Sequence, residues 1–391
     1  MSASLMSEAR ELQGYLTDLR RELHRVPEIG TNTPRTMKII MRELDKIGIS
    51  YTYFEDCSGI VATIGHGGKC FLLRADCDAL PVTEESGVEF CSTVPGCMHA
   101  CGHDLHTAML IGAARLLKAH EGELKGTVKL MFQSGEESFS GSVPLIEHGL
   151  LEDPHVDAAF AMHVCSTLPF GTMAYGRYVL SAVYGFRFTL TGKGCHGSMP
   201  DLGIDPINTG VHIYLGLQEL IAREVSPQEE AVLTIGRFSA GSVPNVVPES
   251  AVLEGTLRTF KPEITEYLRR RVDEVARGIA AAYRTKLDIE VLSKVPATIC
   301  DMDLNLEAEK SISAVDPDMN ISPTFHSMPS EDFAFVSEKV PSAYFYVGAG
   351  VPDTSLWRPQ HNSKVLFNEE VLHHGAAAHA SVAMDWLSRH Q

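Results

Sequence analysis

The sequence predicts an α/β fold with a mostly parallel sheet and helices on both faces, interrupted by a smaller ferredoxin-like α+β domain. Short apolar runs, typical of buried strands, alternate with helical patterns up to about residue 180 and again after residue 294. Between these positions, strand-like runs alternate apolar with polar residues, as in a sheet with one buried face. Because 391 residues exceed one ordinary core, we expect a main domain formed by 1–180 and 295–391 and an inserted domain at 181–294.

The main domain is expected to open with two helices. In the first helix, leucines recur at spacings of four, three and four residues, namely Leu12, Leu16, Leu19 and Leu23. The second helix begins with Thr33 as N-cap and Pro34 at its first position, and it ends at Gly48. Buried strands are predicted at 71–73, 128–132, 158–162 and 343–347, with helices at 107–118 and from about residue 368.

The inserted segment has its own succession of elements. A strand at 184–190 is followed by a helix at 206–225, and strands follow at 231–238 and 251–260. A helix opened by Pro262 and a strand with alternating Leu287, Ile289 and Val291 complete the segment. The order β-α-β-β-α-β is that of a ferredoxin-like unit.

Composition narrows the classes of partner. The chain carries 33 basic against 50 acidic residues, a formal charge of -17, so nucleic acid is not an expected partner. The sequence contains no apolar run near the ~18 residues of a membrane span, and we expect no membrane partner. Charged residues interrupt any signal-like stretch at the N-terminus, and the nine cysteines are odd in number and irregularly spaced. We therefore predict a cytoplasmic protein.

Residues capable of metal chemistry follow three predicted strands. Asp76 and Asp78 come after the first, Glu136 and Glu137 after the second, and His163 ends the third. A fourth cluster, residues 101–106 with the sequence CGHDLH, precedes a helix. Ligands of open α/β sheets bind outside the carboxyl ends of the strands, so these side chains should meet at one edge.

Each group also has an interpretation that needs no metal. His163 could be a hydrogen-bonded core histidine, and Cys101 an inert buried thiol. The two glutamates could form a solvated loop, and the two aspartates could cap a turn. The pair Cys101-x-His103 is more specific, because a thiolate and an imidazole two residues apart can bind one metal ion. Taken together, the groups favour a metal site.

The stretch 98–108, MHACGHDLHTA, resembles the signature of dinuclear metal amidohydrolases, a family that includes hippurate hydrolase, bacterial aminoacylases and indoleacetyl-amino-acid hydrolases. The resemblance covers nearly the whole chain. Further matching segments, in order, are Leu23-His24, Pro27-Glu28, 74–81, Phe132-Gln133, Glu136-Glu137, His163-Val164, 192–200, Pro244-Asn245, 255–260, 330–333 and His361-Asn362.

This resemblance implies a zinc-peptidase-like catalytic domain with two divalent cations per subunit. Cys101 would bridge the ions, with His103 and His163 on one and Glu137 and His361 on the other. A thiolate with imidazoles and carboxylates suits Zn²⁺, while Mn²⁺, Co²⁺ or Ni²⁺ could also occupy such a site. Glu136 would act as general acid and base in hydrolysing the amide bond of an N-acyl amino acid to a carboxylic acid and a free amino acid.

The resemblance also assigns roles outside the ligand set. His196, from the inserted lid or dimerisation domain, would polarise the scissile carbonyl across the interface of a homodimer or higher homo-oligomer. Asn245 and Arg258 would hold the small-molecule substrate. Asp78 would lie behind the ligands and orient a ligand or a bound water.

Several positions depart from the family pattern, and other functions stay open. The departures are Ser134-Gly135 before the glutamate pair, Leu105, Cys165, and Cys195 and Gly197 around His196. They alter pocket walls and leave the substrate open, so an N-acetyl-diaminopimelate deacetylase, a dipeptidase or a carboxypeptidase are alternatives. A cysteine hydrolase with Cys101 as nucleophile and His103 or His106 as base, and a non-catalytic binding protein, are the rival classes.

Overall fold

A computed structural model describes residues 2–391, which form two compact units. The first unit runs to Val179 and resumes at Thr298–His326 and Glu331–Gln391, and the second comprises Leu180–Ala297 and Ser327–Ser330. The sequence-based division lay at 181 and 294, and nothing in the sequence pattern indicated that residues 327–330 group with the second unit. The role of that unit as a lid or dimerisation domain stays a prediction.

The helices and strands alternate along most of the chain. The helices are α1 (Ser2–Glu11), α2 (Gln13–Arg25), α3 (Pro34–Ile47), α4 (His103–Ala119), α5 (Ser142–Glu147), α6 (Pro206–Glu224), α7 (Pro262–Ala282), α8 (Met302–Val315), α9 (Ala334–Ser337) and α10 (Val371–Arg389). The strands are β1 (Tyr51–Phe54), β2 (Gly59–Gly65), β3 (Lys69–Asp76), β4 (Gly126–Gln133), β5 (Ala158–Pro169), β6 (Thr172–Ala174), β7 (Tyr178–Leu180), β8 (Ala182–Thr191), β9 (Cys195–His196), β10 (Ala231–Ala240), β11 (Val246–Val247), β12 (Ser250–Thr259), β13 (Lys286–Val295), β14 (Thr298–Ile299), β15 (Asn320–Ser322) and β16 (Ser342–Gly350).

The first unit is built on an eight-stranded sheet with the order β1-β2-β4-β3-β5-β16-β6-β15. The four central strands, β4, β3, β5 and β16, run parallel to one another. Antiparallel pairing is confined to β1 and β2 on one side and to the junction of β16 with β6 on the other. The predicted α/β class with a mostly parallel sheet is confirmed, and the central strands are the apolar runs found in the sequence.

Helix α4 lies at the centre of this unit, with almost every residue buried. It packs so closely on α10 that a Cβ added to Gly112 would lie 2.7 Å from the Cβ of Ala376. The helix predicted at 107–118 begins earlier than expected, at His103, because Gly102 adopts a left-handed φ of 89° and turns the chain directly into the helix. His103 and His106 are therefore on its first turn.

The N-terminal prediction also needs correction in detail. The leucine pattern belongs to α2, which a separate helix, α1, precedes. Thr33 does precede α3, but its hydroxyl makes no capping hydrogen bond. Instead Thr33 Oγ1 lies 2.5 Å from Ser134 Oγ, so a long-range contact has replaced the expected local one.

The second unit contains a four-stranded antiparallel sheet with the order β10-β12-β8-β13 and the helices α6 and α7. Its chain order, β8-α6-β10-β12-α7-β13, is the β-α-β-β-α-β succession predicted from the sequence. The alternating residues Phe186 and Phe188 of β8 are fully buried and stack at 4.6 Å between ring centroids. A separate short ladder joins β9 to β11.

Within the described part of the chain, no helix is both long enough and apolar enough to cross a bilayer. The cytoplasmic location expected from the cysteine pattern stays a prediction.

Candidate active site

The carboxyl ends of the central strands bring the predicted polar residues to one place in the first unit. Asp76 is the last residue of β3, the two glutamates follow β4 by a few residues, and His163 lies on β5. The loop before α4 joins them through Gly102, where an added Cβ would lie 2.5 Å from the Val164 side chain. Only glycine satisfies both that close approach and the left-handed backbone.

The structure brings all five predicted metal ligands together. The donor atoms of Cys101, His103 and His163 lie within 4.8 Å of one another, and so do those of Cys101, Glu137 and His361. Cys101 belongs to both groups, as expected of a ligand shared between two ions. Glu136 forms a further group with His103 and Glu137 within the same limit.

Backbone carbonyl groups fix the orientation of two of the histidines. Nδ1 of His103 lies 2.9 Å from the carbonyl oxygen of Asp78, and Nδ1 of His163 lies 2.7 Å from that of Val164. Since a carbonyl only accepts hydrogen bonds, each Nδ1 carries a proton, so in the neutral imidazole it is Nε2 that presents the lone pair. Nε2 of His163 lies 3.4 Å from the Cys101 sulfur.

His361 reaches the cluster from the opposite end of the chain. Its Nε2 lies 3.4 Å from Oε2 of Glu137, and its imidazole is 55% exposed. The residue adopts a φ of 67°, which is uncommon outside glycine. The backbone N–H of His361 donates to the carbonyl oxygen of Ala100 at 2.9 Å, so the strained residue is tied to the loop that carries Cys101.

Unsatisfied atoms at the cluster fit a bound cation. Nε2 of His103 and Oε1 of Glu137 are buried and have no hydrogen-bond partner. Burial, together with the Glu137 carboxylate, raises the pKa of the Cys101 thiol well above its usual value. Burial also raises the pKa of Glu137 to about 7. Thiolate, imidazole and carboxylate donors that are costly to bury without a counter-charge suit a divalent transition metal.

Behind the ligands lies a buried ion-pair network that the sequence interpretation did not assign. Arg74, 1% exposed, donates to Asp76 at 2.7 Å, to both oxygens of Glu331 at 2.7 and 3.2 Å, and to Asp332 at 3.1 Å. Its Nε donates to Gln133 at 3.0 Å. The only signal for this network was that 74–81 and 330–333 both matched the family.

Asp332 extends this ion-pair network to the segment that follows the glutamate pair. One of its oxygens accepts from the backbone N–H groups of Gly141 and Ser142, at 3.2 and 3.0 Å. Both oxygens accept from the side-chain amide of Gln133 at 2.6 Å. The loop between β4 and α5 is thus held at both ends.

Asp78 binds the middle of the same loop between β4 and α5. Its two carboxylate oxygens accept from the backbone N–H groups of Glu136 and Glu137, at 3.0 and 3.2 Å. Asp78 is 1% exposed. It is therefore placed to position the main chain of the two glutamates, one of which, Glu137, is a predicted ligand. Its Oδ1 also lies 3.5 Å from Nδ1 of the predicted ligand His103, and its role in orienting a ligand or a water stays a prediction.

Glu136 is 6% exposed and sits beside this ligand cluster. Burial, with the neighbouring Glu331 and Glu137 carboxylates, raises its pKa well above the ordinary range. A carboxyl group with a raised pKa can both accept and release a proton near neutrality.

Two of the three residues predicted in the second unit are neighbours there. The β9–β11 ladder pairs His196 with Val246, and the backbone N–H of Gly197 donates to the carbonyl oxygen of Asn245 at 2.8 Å. Nδ1 of His196 accepts from the backbone N–H of Ser198 at 3.2 Å and lies 2.7 Å from its hydroxyl. The neutral imidazole therefore carries its proton on Nε2, where it can be donated.

Arg258 lies elsewhere in the second unit, on β12. Its Nη1 donates to the carbonyl oxygen of Met328 and to the hydroxyl of Ser330, both at 3.1 Å. Burial lowers its pKa. Part of the guanidinium is thus engaged within the unit, and its predicted contact with substrate stays a prediction.

Comparisons with known proteins identify relatives that match almost the whole chain. The chain is 36% identical to IAA-amino acid hydrolase ILR1-like 5 of Arabidopsis thaliana over 98% of its own length and 89% of that protein. It is 32% identical to thermostable carboxypeptidase 2 of Saccharolobus solfataricus, with 98% of each chain covered.

Among solved structures, it matches the Bacillus subtilis YXEP protein, a dinuclear metal-binding peptidase of the M20 family. The TM-score is 0.83 and the identity 32%, with 97% of this chain and 99% of that one covered. The model of peptidase family M20/M25/M40 matches residues 72–385, which include every ligand of the cluster. The resemblance found in the sequence is confirmed, and the chain belongs to peptidase family M20/M25/M40.

Proposed function

We propose that this chain is a metal-dependent amidohydrolase that cleaves the amide bond of N-acyl amino acids, releasing a carboxylic acid and a free amino acid. The observation that carries the proposal is the convergence of five metal-capable side chains around one carboxyl group that is not needed as a ligand, Glu136. The relative named as a hydrolase of amino acid conjugates supports the substrate class.

Two divalent ions would be held by the cluster, with Cys101 between them. His103 and His163 would complete one site, and Glu137 and His361 the other. When bound, such ions lower the pKa of a water molecule toward about 7 and polarise a carbonyl group. The mixture of sulfur, nitrogen and oxygen donors suits Zn²⁺, with Mn²⁺, Co²⁺ and Ni²⁺ as further candidates.

Glu136 would carry the proton that the reaction must move. Its carboxylate accepts a proton from the attacking water and then delivers it to the amide nitrogen, so the leaving group departs as a neutral amine. Asp78 keeps this carboxyl group in place by binding the backbone N–H of Glu136 at 3.0 Å. Because the anchor is on the main chain, the side chain stays available for proton transfer.

His196 would stabilise the negative charge that develops on the carbonyl oxygen. Its Nδ1 accepts from the Ser198 backbone, which leaves the Nε2–H as a donor. Asn245, tied to the same short ladder, and Arg258 would orient the substrate. A donor aimed at a developing oxyanion contributes about 3–4 kcal/mol to catalysis.

We further propose that the protein works as a homodimer or higher homo-oligomer in which the partner subunit's His196 completes the site. Features of the second unit favour association. Strand β10 pairs only with β12 and leaves one edge open, and helix α6 exposes an apolar stripe at helical spacing. The stripe consists of Ile207, Val211, Tyr214 and Leu215, each 36–54% exposed.

A complementation experiment tests the shared site. His196→Ala and Glu136→Gln should each retain at most a small residual activity alone, while mixed dimers of the two should regain part of the wild-type activity. Mixed dimers that are shown to form, yet stay inactive, would count against a site shared between subunits.

The function itself is tested by a substrate panel run with Zn²⁺, Mn²⁺, Co²⁺ or Ni²⁺. Acetyl, benzoyl and indoleacetyl amino acids are compared with dipeptides, for the wild type and for Glu136→Gln. We expect hydrolysis of the N-acyl amino acids by the wild type, and almost none by Glu136→Gln at unchanged metal content. The exposed Glu338→Gln serves as the matched control. Full turnover by Glu136→Gln would remove Glu136 from the mechanism.

The second candidate function is that of a carboxypeptidase or dipeptidase using the same residues. It is favoured by the likeness to thermostable carboxypeptidase 2. The same panel decides, because a peptidase would cleave the dipeptides faster than the acyl amino acids. N-acetyl-diaminopimelate, added to the panel, tests the deacetylase alternative.

The geometry speaks against a cysteine hydrolase. Burial raises the pKa of the Cys101 thiol, whereas a nucleophile needs a lowered one. Of the two proposed bases, His106 has both ring nitrogens hydrogen-bonded, which leaves Nε2 of His103 as the remaining candidate to accept the proton of the thiol. A non-catalytic binding protein would turn over nothing in the panel.

A further inference from the structure

His106 is a buried histidine on the first turn of α4, and no role has been assigned to it so far. It is 1% exposed. Nδ1 lies 2.5 Å from Oδ1 of Asp76, and Nε2 lies 2.8 Å from the backbone nitrogen of Val164. Both ring nitrogens therefore have a partner.

These two partners determine where the proton of His106 lies. A backbone N–H only donates, so the Val164 N–H is accepted by a lone pair on Nε2 of His106, while Nδ1 faces Oδ1 of Asp76. The proton of His106 is thus on Nδ1. Its Nε2 is a lone pair that accepts the Val164 N–H.

The same assignment shows that His106 is not a metal ligand. Its atoms form a compact group with Asp76 and His103 that has the composition of a metal site. However, Nδ1 is occupied by its proton and Nε2 by the Val164 N–H, so neither can bind an ion without breaking a buried hydrogen bond.

Val164 connects His106 to a metal ligand. While its N–H is held by His106, its carbonyl oxygen accepts from Nδ1 of His163 and from the side-chain amide of Gln360, both at 2.7 Å. The carbonyl keeps the proton of His163 on Nδ1. Nε2 of His163 is thereby left as a lone pair, 3.4 Å from the Cys101 sulfur.

We propose that His106 is a positioning residue that sets the tautomer and the direction of His163 through the backbone of Val164. The series runs from Arg74 through Asp76 and His106 to Val164, and it ends at the lone pair that His163 offers to the metal cluster. The inference rests on the proposed metal centre but not on which amide bond is cleaved.

Metal titration of the stripped enzyme tests this role without any activity measurement. Co²⁺ is added to the metal-free wild type and to His106→Leu, and the dissociation constants of the two sites are measured by calorimetry. Loss of a partner that orients a ligand weakens metal binding by about 10–100-fold. We expect this loss at one site only, and recovery in His106→Gln, whose amide can both donate to Asp76 and accept from Val164.

A double-mutant cycle separates positioning from a general structural effect. His163→Ala should weaken the same site, and adding His106→Leu to it should weaken that site no further, because His106 acts through His163. Additive losses, or unchanged Co²⁺ binding by a folded His106→Leu, would overturn the proposal. His379→Leu, another buried histidine substitution, should leave both dissociation constants unchanged.

If His106→Leu does not fold, nitrogen-15 spectra of histidines in the metal-free wild type give the answer directly. Both His106 and His163 should show a proton on Nδ1 and a lone pair on Nε2, and the opposite tautomer at either residue contradicts the assignment. The proposed function and the positioning role can fail separately. If the wild type binds two Co²⁺ ions and the double-mutant cycle gives the expected result, but no substrate in the panel is hydrolysed, the proposed function is refuted and the positioning role is retained.

Discussion

The two units place their candidate residues in opposite environments. In the first, Cys101, His103 and Glu136 are buried, and charged groups behind them, such as Arg74, are 1% exposed. In the second, His196 is exposed on a ladder only two residues long on each strand. Apart from the exposed His361, the residues proposed to hold the ions therefore lie in a largely desolvated place, whereas a donor to a transient oxyanion can act from a lightly held position. We therefore expect substitutions in the first set to affect metal binding and folding, and substitution of His196 to affect catalysis alone.

The largest effect is expected from substitution of Cys101, the residue proposed to bridge the two ions. Cys101→Ala should lower the bound metal below two ions per chain and take turnover below detection, because both donor groups share this sulfur. Elemental analysis of the purified variant measures the ratio. Unchanged stoichiometry would show that the sulfur does not join the two groups.

Removing a buried cation of the first unit, Arg74, should cost stability. Arg74→Met leaves Asp76, Glu331 and Asp332 without their counter-charge, and breaking a buried pair in this way costs about 3–5 kcal/mol. Urea unfolding measures the loss. In the second unit, Arg187→Met removes surface pairs with Glu254 and Glu290 and should leave the midpoint unchanged. Equal losses would erase the contrast between the units.

Substitution of the exposed His196 should have the opposite pattern, with a loss of activity and no loss of stability. His196→Ala is expected to lower kcat about 10²–10³-fold, the effect of deleting an oxyanion donor. Metal content and the free energy of unfolding should stay at wild-type values, because His196 is exposed and its hydrogen bonds are to Ser198. A loss of metal from this variant would place His196 among the ligands instead.

The smallest expected effect concerns acid stability. Burial alone would raise the pKa of Glu43, but hydrogen bonds to its carboxylate, the largest from Lys46 and then Tyr15, lower it to about 2. A lowered folded-state pKa means that the stabilisation is complete above the unfolded value near 4.5 and is lost as the pH falls toward 2. At 1.36 kcal/mol per pKa unit, up to about 3 kcal/mol is lost in that window.

Glu43→Gln should therefore flatten the dependence of unfolding free energy on pH between about 5 and 2. Glu254→Gln in the second unit is the matched control, since the pKa of Glu254 is also lowered, first by Arg187, but at the surface. A wild-type slope retained in Glu43→Gln would show that its buried contacts contribute nothing.

The sequence predicted which side chains gather at the cluster better than it predicted the residues that support them. Strands that end in acidic or histidine residues, and the pair Cys101-x-His103, can be found by spacing because each pattern is local. The contact of Arg74 with Glu331 spans 257 residues, and no local pattern announces it. The start of α4 was misplaced because periodicity of apolar residues begins after the polar first turn.

The tautomers of the histidines could not be predicted from the sequence for another reason. Those of His103 and His163 depend on the carbonyl oxygens of Asp78 and Val164, and every residue has a carbonyl group. Which one faces an imidazole is decided only when β3, β5 and α4 have packed. The contacts of the Asp78 carboxylate could not be predicted for the same reason, because they are made with backbone N–H groups.

The carbonyl oxygens that orient the histidines have a consequence for how this protein can change. Main-chain atoms are the same whatever side chain a codon specifies, so the alignment of the ions survives replacements at many neighbouring positions. A substitution at a partly exposed position beside the cluster, such as Cys165, can thus change what the enzyme recognises without disturbing the chemistry, whereas Leu105 is buried in the core. Substrate specificity can therefore change through side-chain substitutions while the backbone groups that orient the metal-binding histidines stay the same.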